Sequence, residues 1–314
     1  MMKVLFVSKA NADGKPGVVV GNQMASLRKY GDMEIIYFPI TGKGISTYIK
    51  HIFKLKKFLE ANPCDIVHAN YSFCGFTASL AGAKPLVVSL MGSDTKTTGW
   101  LKMATRYFLH NRWTTTIVKS ASMAEDLQPK RSVDIIPNGV DIDLFASVTL
   151  EEAKQFAQFN PAKKHIVFVG DPSRYSKNGD LAKEVVQQIS HLPIELHIIQ
   201  NRPHSEIIRY MIASDVILMT SRYEGSPNVI KEAMACNKPI VSTNVGDVAF
   251  LLENVTGCYV CDQDAQILSE ALIKALHFAE NQGATKGIEK LQALGIDAAS
   301  TARKISLIYR NLAP

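Results

Sequence analysis

The chain reads as an α/β protein built of two doubly wound domains, each a parallel sheet with helices on both faces. Three observations carry that reading. Short β-branched apolar runs recur at regular spacing, separated by amphipathic stretches of about ten residues or more. The runs are nearly continuous in apolar character, as in KVLFV, HIVFV and DVILM, which fits strands buried on both faces. A length of 314 residues, 46% hydrophobic and 20% charged, suggests about two domains of ordinary globular composition.

The elements follow in order. A first series of strands is expected at 4–7, 34–38, 66–68, 86–89, 115–118 and 134–136. A second is expected at 166–169, 195–199, 216–219, 240–242 and 258–260. Between the series, IIPNGVDIDLF carries a Pro-Asn-Gly turn, and the polar, helix-prone TLEEAKQFAQFNPAKKH leads into a fresh strand. The domains are therefore placed at 1–150 and 151–298. The last amphipathic stretch has no strand after it, so residues 299–314 are expected to form a helix packing back on the first domain.

Composition excludes several classes. A net charge of +6 is mildly basic, and the basic residues do not interleave with a nucleic-acid-binding motif, so no nucleic-acid partner is expected. No run reaches the ~18 apolar residues of a membrane span. The opening MMKVLFVSKA reads as a strand rather than a signal peptide. Five scattered cysteines fit a reducing compartment. Cys258 and Cys261 form a C-x2-C without a second pair, so no zinc site is expected there.

In open α/β sheets ligands bind beyond the carboxyl ends of the strands. Neither G-x-G-x-x-G nor G-x-x-x-x-G-K-[ST] is present, which argues against a nicotinamide enzyme and an ordinary nucleoside triphosphatase. After residue 169 comes GDPSRYSKNGD, where Gly170 permits a tight exit and Arg174 and Lys177 precede a helix start. Two cations beside free helix N–H groups suit a phosphate, although solvated basic loop residues are equally common. After residue 219 comes TSRYEGSPNVIKEAMA, a second helix start, with Ser226 or Asn228 as its cap. Glu232 there could simply complement the helix dipole, whereas Glu224 lies in a strand-end loop. Carboxylates accept hydrogen bonds from vicinal hydroxyls, so the two loops together suggest a diphosphate flanked by hydroxyl-rich groups.

The stretch EGSPNVIKEA, set after SDVILMTS and before KPIVST, resembles the E-x7-E motif of retaining glycosyltransferases of family 4, also called group 1. DIVHAN (65–70), GSD (92–94), IPNGVD (136–141), VGDPSRYSKN (169–178) and STNVGDV (242–248) extend the resemblance over nearly the whole chain, most closely from 137 to 248. The resemblance implies the GT-B architecture: two Rossmann-like domains facing a central cleft, with a C-terminal helix crossing back to the first. It implies a cytoplasmic, metal-independent hexosyltransferase with no cofactor beyond its co-substrate, a nucleoside-diphosphate sugar, UDP- or GDP-linked. The acceptor implied is a glycan or lipid-linked sugar of surface or exopolysaccharide synthesis.

Carried over residue by residue, Glu224 faces the donor sugar and Glu232 the ribose, while Arg174 and Lys177 hold the diphosphate. Gly170, Ser226, Pro227 and the N–H groups of Asn228, Val229 and Ile230 complete the donor set. Gly17, His68 and Asp94 mark the acceptor loops of the first domain, with Gly17 and Asp94 counted also toward the donor. His68 stays open between catalysis and a structural strand-end histidine.

The chain departs from the family pattern at four places. Met91 stands where a histidine often precedes Gly-Ser-Asp, and Asn70 stands at a second histidine position. Asp171 replaces a basic residue after Gly170. The segment between Ile199 and HSEIIRYMIAS, where a base-binding pocket would lie, is shorter by about one βα unit.

Residues 46–60 and 100–113 read as basic amphipathic helices that either face the core with solvated lysines or lie peripherally on anionic membrane. The competing functions are a nucleotide-sugar epimerase of the same architecture and a catalytically degenerate nucleotide-sugar-binding module.

Overall fold

The computed structural model describes residues 1–92, 94, 95 and 98–313. The chain divides into two compact units, Met1–Gly139 with Ala298–Pro314, and Val140–Asp297.

In the first unit the strands are β1 (Met2–Lys9), β2 (Met33–Ile40), β3 (Ile66–Asn70), β4 (Leu86–Ser89), β5 (Thr115–Val118) and β6 (Asp134–Ile135). They form one parallel sheet in the order β2-β1-β3-β4-β5-β6. Val4, Leu5, Phe6 and Val7 are all buried, as a strand covered on both faces requires. Pro39 is tolerated in β2 because that strand lies at the sheet edge. The connecting helices are α1 (Val18–Gly31), α2 (Ile45–Ala61), α3 (Ser72–Leu80), α4 (Gly99–Asn111) and α5 (Ala121–Leu127).

In the second unit α6 (Ile142–Ala146) and α7 (Leu150–Ala157) come first. The strands are β7 (Lys164–Val169), β8 (Ile194–Ile199), β9 (Val216–Met219), β10 (Ile240–Thr243) and β11 (Cys258–Cys261). Their parallel order is β11-β10-β9-β7-β8. Between and after them run α8 (Gly179–Gln188), α9 (His204–Ala213), α10 (Asn228–Ala235), α11 (Val248–Leu252), α12 (Ala265–Asn281) and α13 (Gly287–Ala293).

The chain enters the second unit about ten residues before the position read from sequence. Val140 and Phe145 are buried with Met211, Met219 and Ile230, so the DIDLF segment belongs to this second core. Val140 and Asp297 form an isolated parallel bridge, so the entering and leaving segments lie side by side. The last helix, α14 (Ala298–Leu312), then rejoins the first unit. Its Ala302, Ile305 and Tyr309 are buried with Val4, Phe6 and Leu27. Fully burying one such aliphatic or aromatic side chain contributes ~1.5–3 kcal/mol, enough to set where this helix docks.

In each sheet the connections reverse direction once, between β1 and β3 and between β7 and β9. A crevice beyond the carboxyl ends of the strands opens at such a point. In the second unit the loops that follow β7 and β9 are the two richest in candidate residues.

Candidate active site

The loop after β7 is held in one shape by its backbone. Gly170 has φ 134°, a conformation side-chain-bearing residues rarely adopt, and its N–H donates to the Ile199 carbonyl at 2.9 Å. A Cβ at Gly170 would lie 3.4 Å from Lys177 Cε, so glycine leaves room for the lysine stem. Gly179 opens α8 against Pro172, where a Cβ would come within 2.4 Å of the proline ring. Hydrogen bonds tie this loop to the end of β9. Thr220 Oγ1 donates to the Asn178 carbonyl at 2.9 Å, and the Arg222 N–H donates to the Ser176 carbonyl at 2.8 Å.

That closure brings Lys177 to Glu224. The Lys177 Nζ donates to Glu224 Oε1 at 2.7 Å, and Ser221 Oγ donates to the same oxygen at 3.1 Å. Both side chains of the ion pair keep about a fifth of their surface exposed, 18% and 22%. The pair is therefore reachable from solvent. Arg174 is exposed, and its guanidinium lies outside this contact; Asp171 beside it spends its carboxylate on the N–H and hydroxyl of Ser173.

The start of α10 differs from the sequence expectation. Neither Ser226 nor Asn228 caps it: Pro227 occupies the N-cap position without a side-chain bond, and Asn228 is the first helical residue. The first-turn N–H groups of Asn228, Val229 and Ile230 therefore have no intrahelical acceptor. Gly246 lets the preceding loop lie flat on its neighbour, since a Cβ there would meet the Gly225 carbonyl at 2.4 Å.

Ser226 serves another group, which sequence reasoning missed. Lys231 is fully buried, and its Nζ donates to Ser226 Oγ at 3.2 Å. Burial pulls the lysine down to about 8, partly offset by the charges of Asp247 and Glu232. Burial pushes the Asp247 carboxyl up, and its bond to Ser226 opposes that shift. One hydroxyl thus joins a buried ammonium and a partly buried carboxylate. A charged residue inside the apolar VIKEAM helix was the available signal, but its partner lies sixteen positions away.

Glu232 has a partner of its own. His204, the first residue of α9, places Nε2 at 3.0 Å from Glu232 Oε1, with side chains 17% and 16% exposed. The hydrogen bond to Glu232 raises the His204 pKa, and burial opposes the rise. The short stretch between Ile199 and α9 makes this meeting geometrically direct, because only residues 200–203 separate β8 from the histidine. His204 was legible only as a histidine just beyond a strand's carboxyl end.

In the first unit the candidates separate. Gly17 sits at the N-cap of α1 in extended conformation, with open space where a Cβ would be. Asp94 is buried; its Oδ2 accepts the Met91 N–H at 2.9 Å, and burial pushes its pKa up to about 7. Ser93 of the same Gly-Ser-Asp segment lies outside the described residues.

His68 is corrected from a catalytic candidate to a core residue. It has no exposed surface, its Nδ1 meets the Tyr309 hydroxyl, and its Nε2 lies 2.8 Å from Ser89 Oγ. Burial, aided by the nearby Lys119 charge, pulls its pKa down to about 3. Both ring nitrogens of this buried imidazole are thus engaged by the protein's own hydroxyls.

Cys258 and Cys261 do not converge. They contribute to hydrophobic clusters on opposite faces of the second sheet, as residues three apart on a strand must. Burial pushes Cys258 up to about 12 and raises Cys261.

Two family descriptions match the chain. "Glycosyltransferase Family 4" matches residues 16–144, and "Glycosyl transferases group 1" matches residues 145–277. TuaC of Bacillus subtilis (strain 168), named for teichuronic acid biosynthesis, is 24% identical over 240 residues, covering 68% of this chain. The match spans 61% of the length of TuaC. Among solved structures, sucrose-phosphate synthase from Thermosynechococcus elongatus superposes with a TM-score of 0.77 at 18% identity, covering 99% of each chain. Anabaena HepE in complex with UDP and glucose superposes with a TM-score of 0.73 at 16% identity, covering 99% of this chain and 100% of that one. At these identities the structural likeness establishes a shared fold.

Proposed function

The chain belongs to the group 1 glycosyltransferases of family 4, and from that premise we propose that it moves a hexose-type sugar from a nucleoside-diphosphate sugar, UDP- or GDP-linked, to a glycan or lipid-linked acceptor in surface polysaccharide synthesis. The observation that carries the reading is the pairing of both motif glutamates with basic side chains, Lys177 with Glu224 and His204 with Glu232, on either side of the α10 start. Each glutamate is thereby oriented for hydroxyl groups, and the helix start between them offers N–H groups to a diphosphate.

In the proposed reaction the bond between the anomeric carbon and the diphosphate oxygen breaks while an acceptor hydroxyl attacks from the same face. The hydroxyl proton passes to the departing phosphate oxygen, and the configuration is retained. Lys177 and the α10 N–H groups stabilise the growing phosphate charge without a metal, with Arg174 closing over the diphosphate. One preorganised donor of this kind typically contributes ~10²–10³ in rate. Glu224 positions the donor sugar and Glu232 the ribose. Lys231 acts behind them as a positioning residue, holding Ser226 and so the shape of the loop.

The lipid side of the reading rests on the first unit. Ile45, Ile49 and Phe53 form an exposed stripe along α2, beside the exposed Lys50, Lys54 and Lys57. Trp100, Met103 and Tyr107 form a second exposed stripe on α4, and Trp100 reaches α3 through an edge contact with Phe73 at 6.5 Å. An apolar stripe rimmed by lysines suits peripheral contact with anionic lipid. No described helix is long and apolar enough to cross a membrane. The proposed location is the inner face of the cell membrane.

The deciding experiment is a calorimetric panel of UDP-, GDP-, ADP- and dTDP-sugars on the wild type and on Glu232→Ala. One nucleotide bound by the wild type and weakened in the variant is expected. Failure of every nucleotide to bind folded protein, with and without acceptor glycolipid, overturns the reading.

A further inference from the structure

A second polar cluster lies on one face of β7 and β8, within the strands rather than in the loops beyond their carboxyl ends. His165 and Glu195 are register partners on these neighbouring strands, and His197 follows two residues after Glu195. Parallel register and the two-residue repeat of a strand place all three side chains on one face of the sheet. Val167 and Ile199 continue the same face as buried apolar residues. Placement on one face is thus a property of the sheet itself. One ligand atom from each of the three residues lies within 4.8 Å of the others.

The hydrogen-bond pattern defines the tautomer of His165. Its Nε2 lies 2.9 Å from the Asn160 carbonyl oxygen, which can only accept, so Nε2 carries the proton. In the neutral ring Nδ1 is therefore a bare lone pair, and it lies 3.0 Å from His197 Nε2. A backbone carbonyl holding the far N–H is how metal-binding histidines are commonly oriented. Phe159 stacks on both rings, with centroids 4.5 Å from His165 and 3.9 Å from His197, and holds their planes. Bonds of about 2.0–2.1 Å from zinc to imidazole nitrogen set two such nitrogens roughly 3–3.5 Å apart. The observed separation lies in that range. A pocket of about 470 Å³ runs alongside, lined in part by Gln158, Arg202 and Tyr210, and gives solvent access.

We propose that His165, His197 and Glu195 form a divalent-metal site for a zinc-like ion, with the fourth position open to water. Two imidazoles and one carboxylate are a donor set suited to such ions. Without the ion, His197 Nε2–H donates to His165 Nδ1. On binding, His197 moves that proton to its own Nδ1, so two neutral imidazole nitrogens and one carboxylate oxygen face the ion and no net proton is released. The ion cross-links β7 to the edge strand β8. Lys163, whose Nζ lies 3.5 Å from Glu195 Oε2, competes with it for the carboxylate.

The test titrates chelator-treated full-length protein with Zn²⁺ by calorimetry and with Co²⁺ by visible absorption. One ion per chain and cobalt ligand-field bands are expected, with affinity falling at least about tenfold in His197→Gln and in Glu195→Gln. His277→Gln, an exposed histidine on α12, should bind as the wild type does. Absence of binding, or equal binding by folded His197→Gln, overturns the proposal. Should the histidine variants fail to fold, Lys163→Ala decides. Tighter binding by a few-fold supports the site, and unchanged or weaker binding sinks it. Nucleotide binding is not involved, so this result stands apart from the transferase reading.

Discussion

His204 donates its Nε2–H to Glu232 at 3.0 Å, joining the first residue of α9 to the second glutamate of the E-x7-E motif, 28 positions apart. The bond raises the histidine pKa in the folded chain. A histidine raised above its unfolded value of about 6.5 contributes stability that is fully present below that pH and is lost as pH climbs through the folded pKa. The stability gap between wild type and His204→Gln, from urea unfolding, should be largest in mildly acid buffer and narrow toward alkaline pH. A gap constant across that range would show that the bond adds no pH-linked stability.

Lys177 and Glu224 make a different prediction, because the carboxylate neutralises the lysine before any donor arrives. Replacing Glu224 by Gln frees the ammonium for phosphate. UDP or GDP, whichever the panel identifies, should bind Glu224→Gln at least as tightly as wild type while turnover falls by ~10²–10³. Lys177→Ala should weaken diphosphate binding and turnover together. Equal loss of nucleotide affinity in both variants would contradict the assignment of Glu224 to the sugar.

The buried Lys231 is coupled to Ser226 and Asp247. Lys231→Met takes one partner from the Ser226 hydroxyl and the nearby positive charge from the Asp247 carboxylate, at a cost of ~1–3 kcal/mol. Asp247→Asn in the same chain should recover part of that loss, which a double-mutant cycle by chemical denaturation measures. Strict additivity would mean that the two groups do not interact.

The lysines beside the α2 stripe set the membrane prediction. Each basic residue near an anionic surface contributes ~1 kcal/mol, so Lys54→Gln with Lys57→Gln should weaken binding to phosphatidylglycerol vesicles roughly 30-fold. Phe53→Ser should weaken it by removing the most exposed side chain of the stripe. Sedimentation that ignores all three changes would remove the lipid side of the proposed function.

His68 stands in DIVHAN at the end of a strand, where a histidine reads equally well as catalytic or structural. Its fate depended on Tyr309, 241 residues away on a helix that returns to the first sheet. The cap of α10 failed for a similar reason. Ser226 has the right chemistry for capping, yet a buried lysine claims its hydroxyl.

The sequence by itself determined what depends on local order: the alternation of buried strands with amphipathic helices, the two parallel sheets, and the spacing of Glu224 and Glu232 about the start of one helix. Those features repeat over a few residues, and hydrophobic periodicity and turn chemistry report them directly. Only the tertiary structure decided which side chains meet: Lys177 with Glu224, His204 with Glu232, Lys231 with Ser226, and His165 with His197. Each pair joins residues whose approach is set by strand order, register or loop closure. An ammonium or an imidazole has the same composition whether its partner is water or a carboxylate, and the fold makes that choice by deciding what is buried beside it.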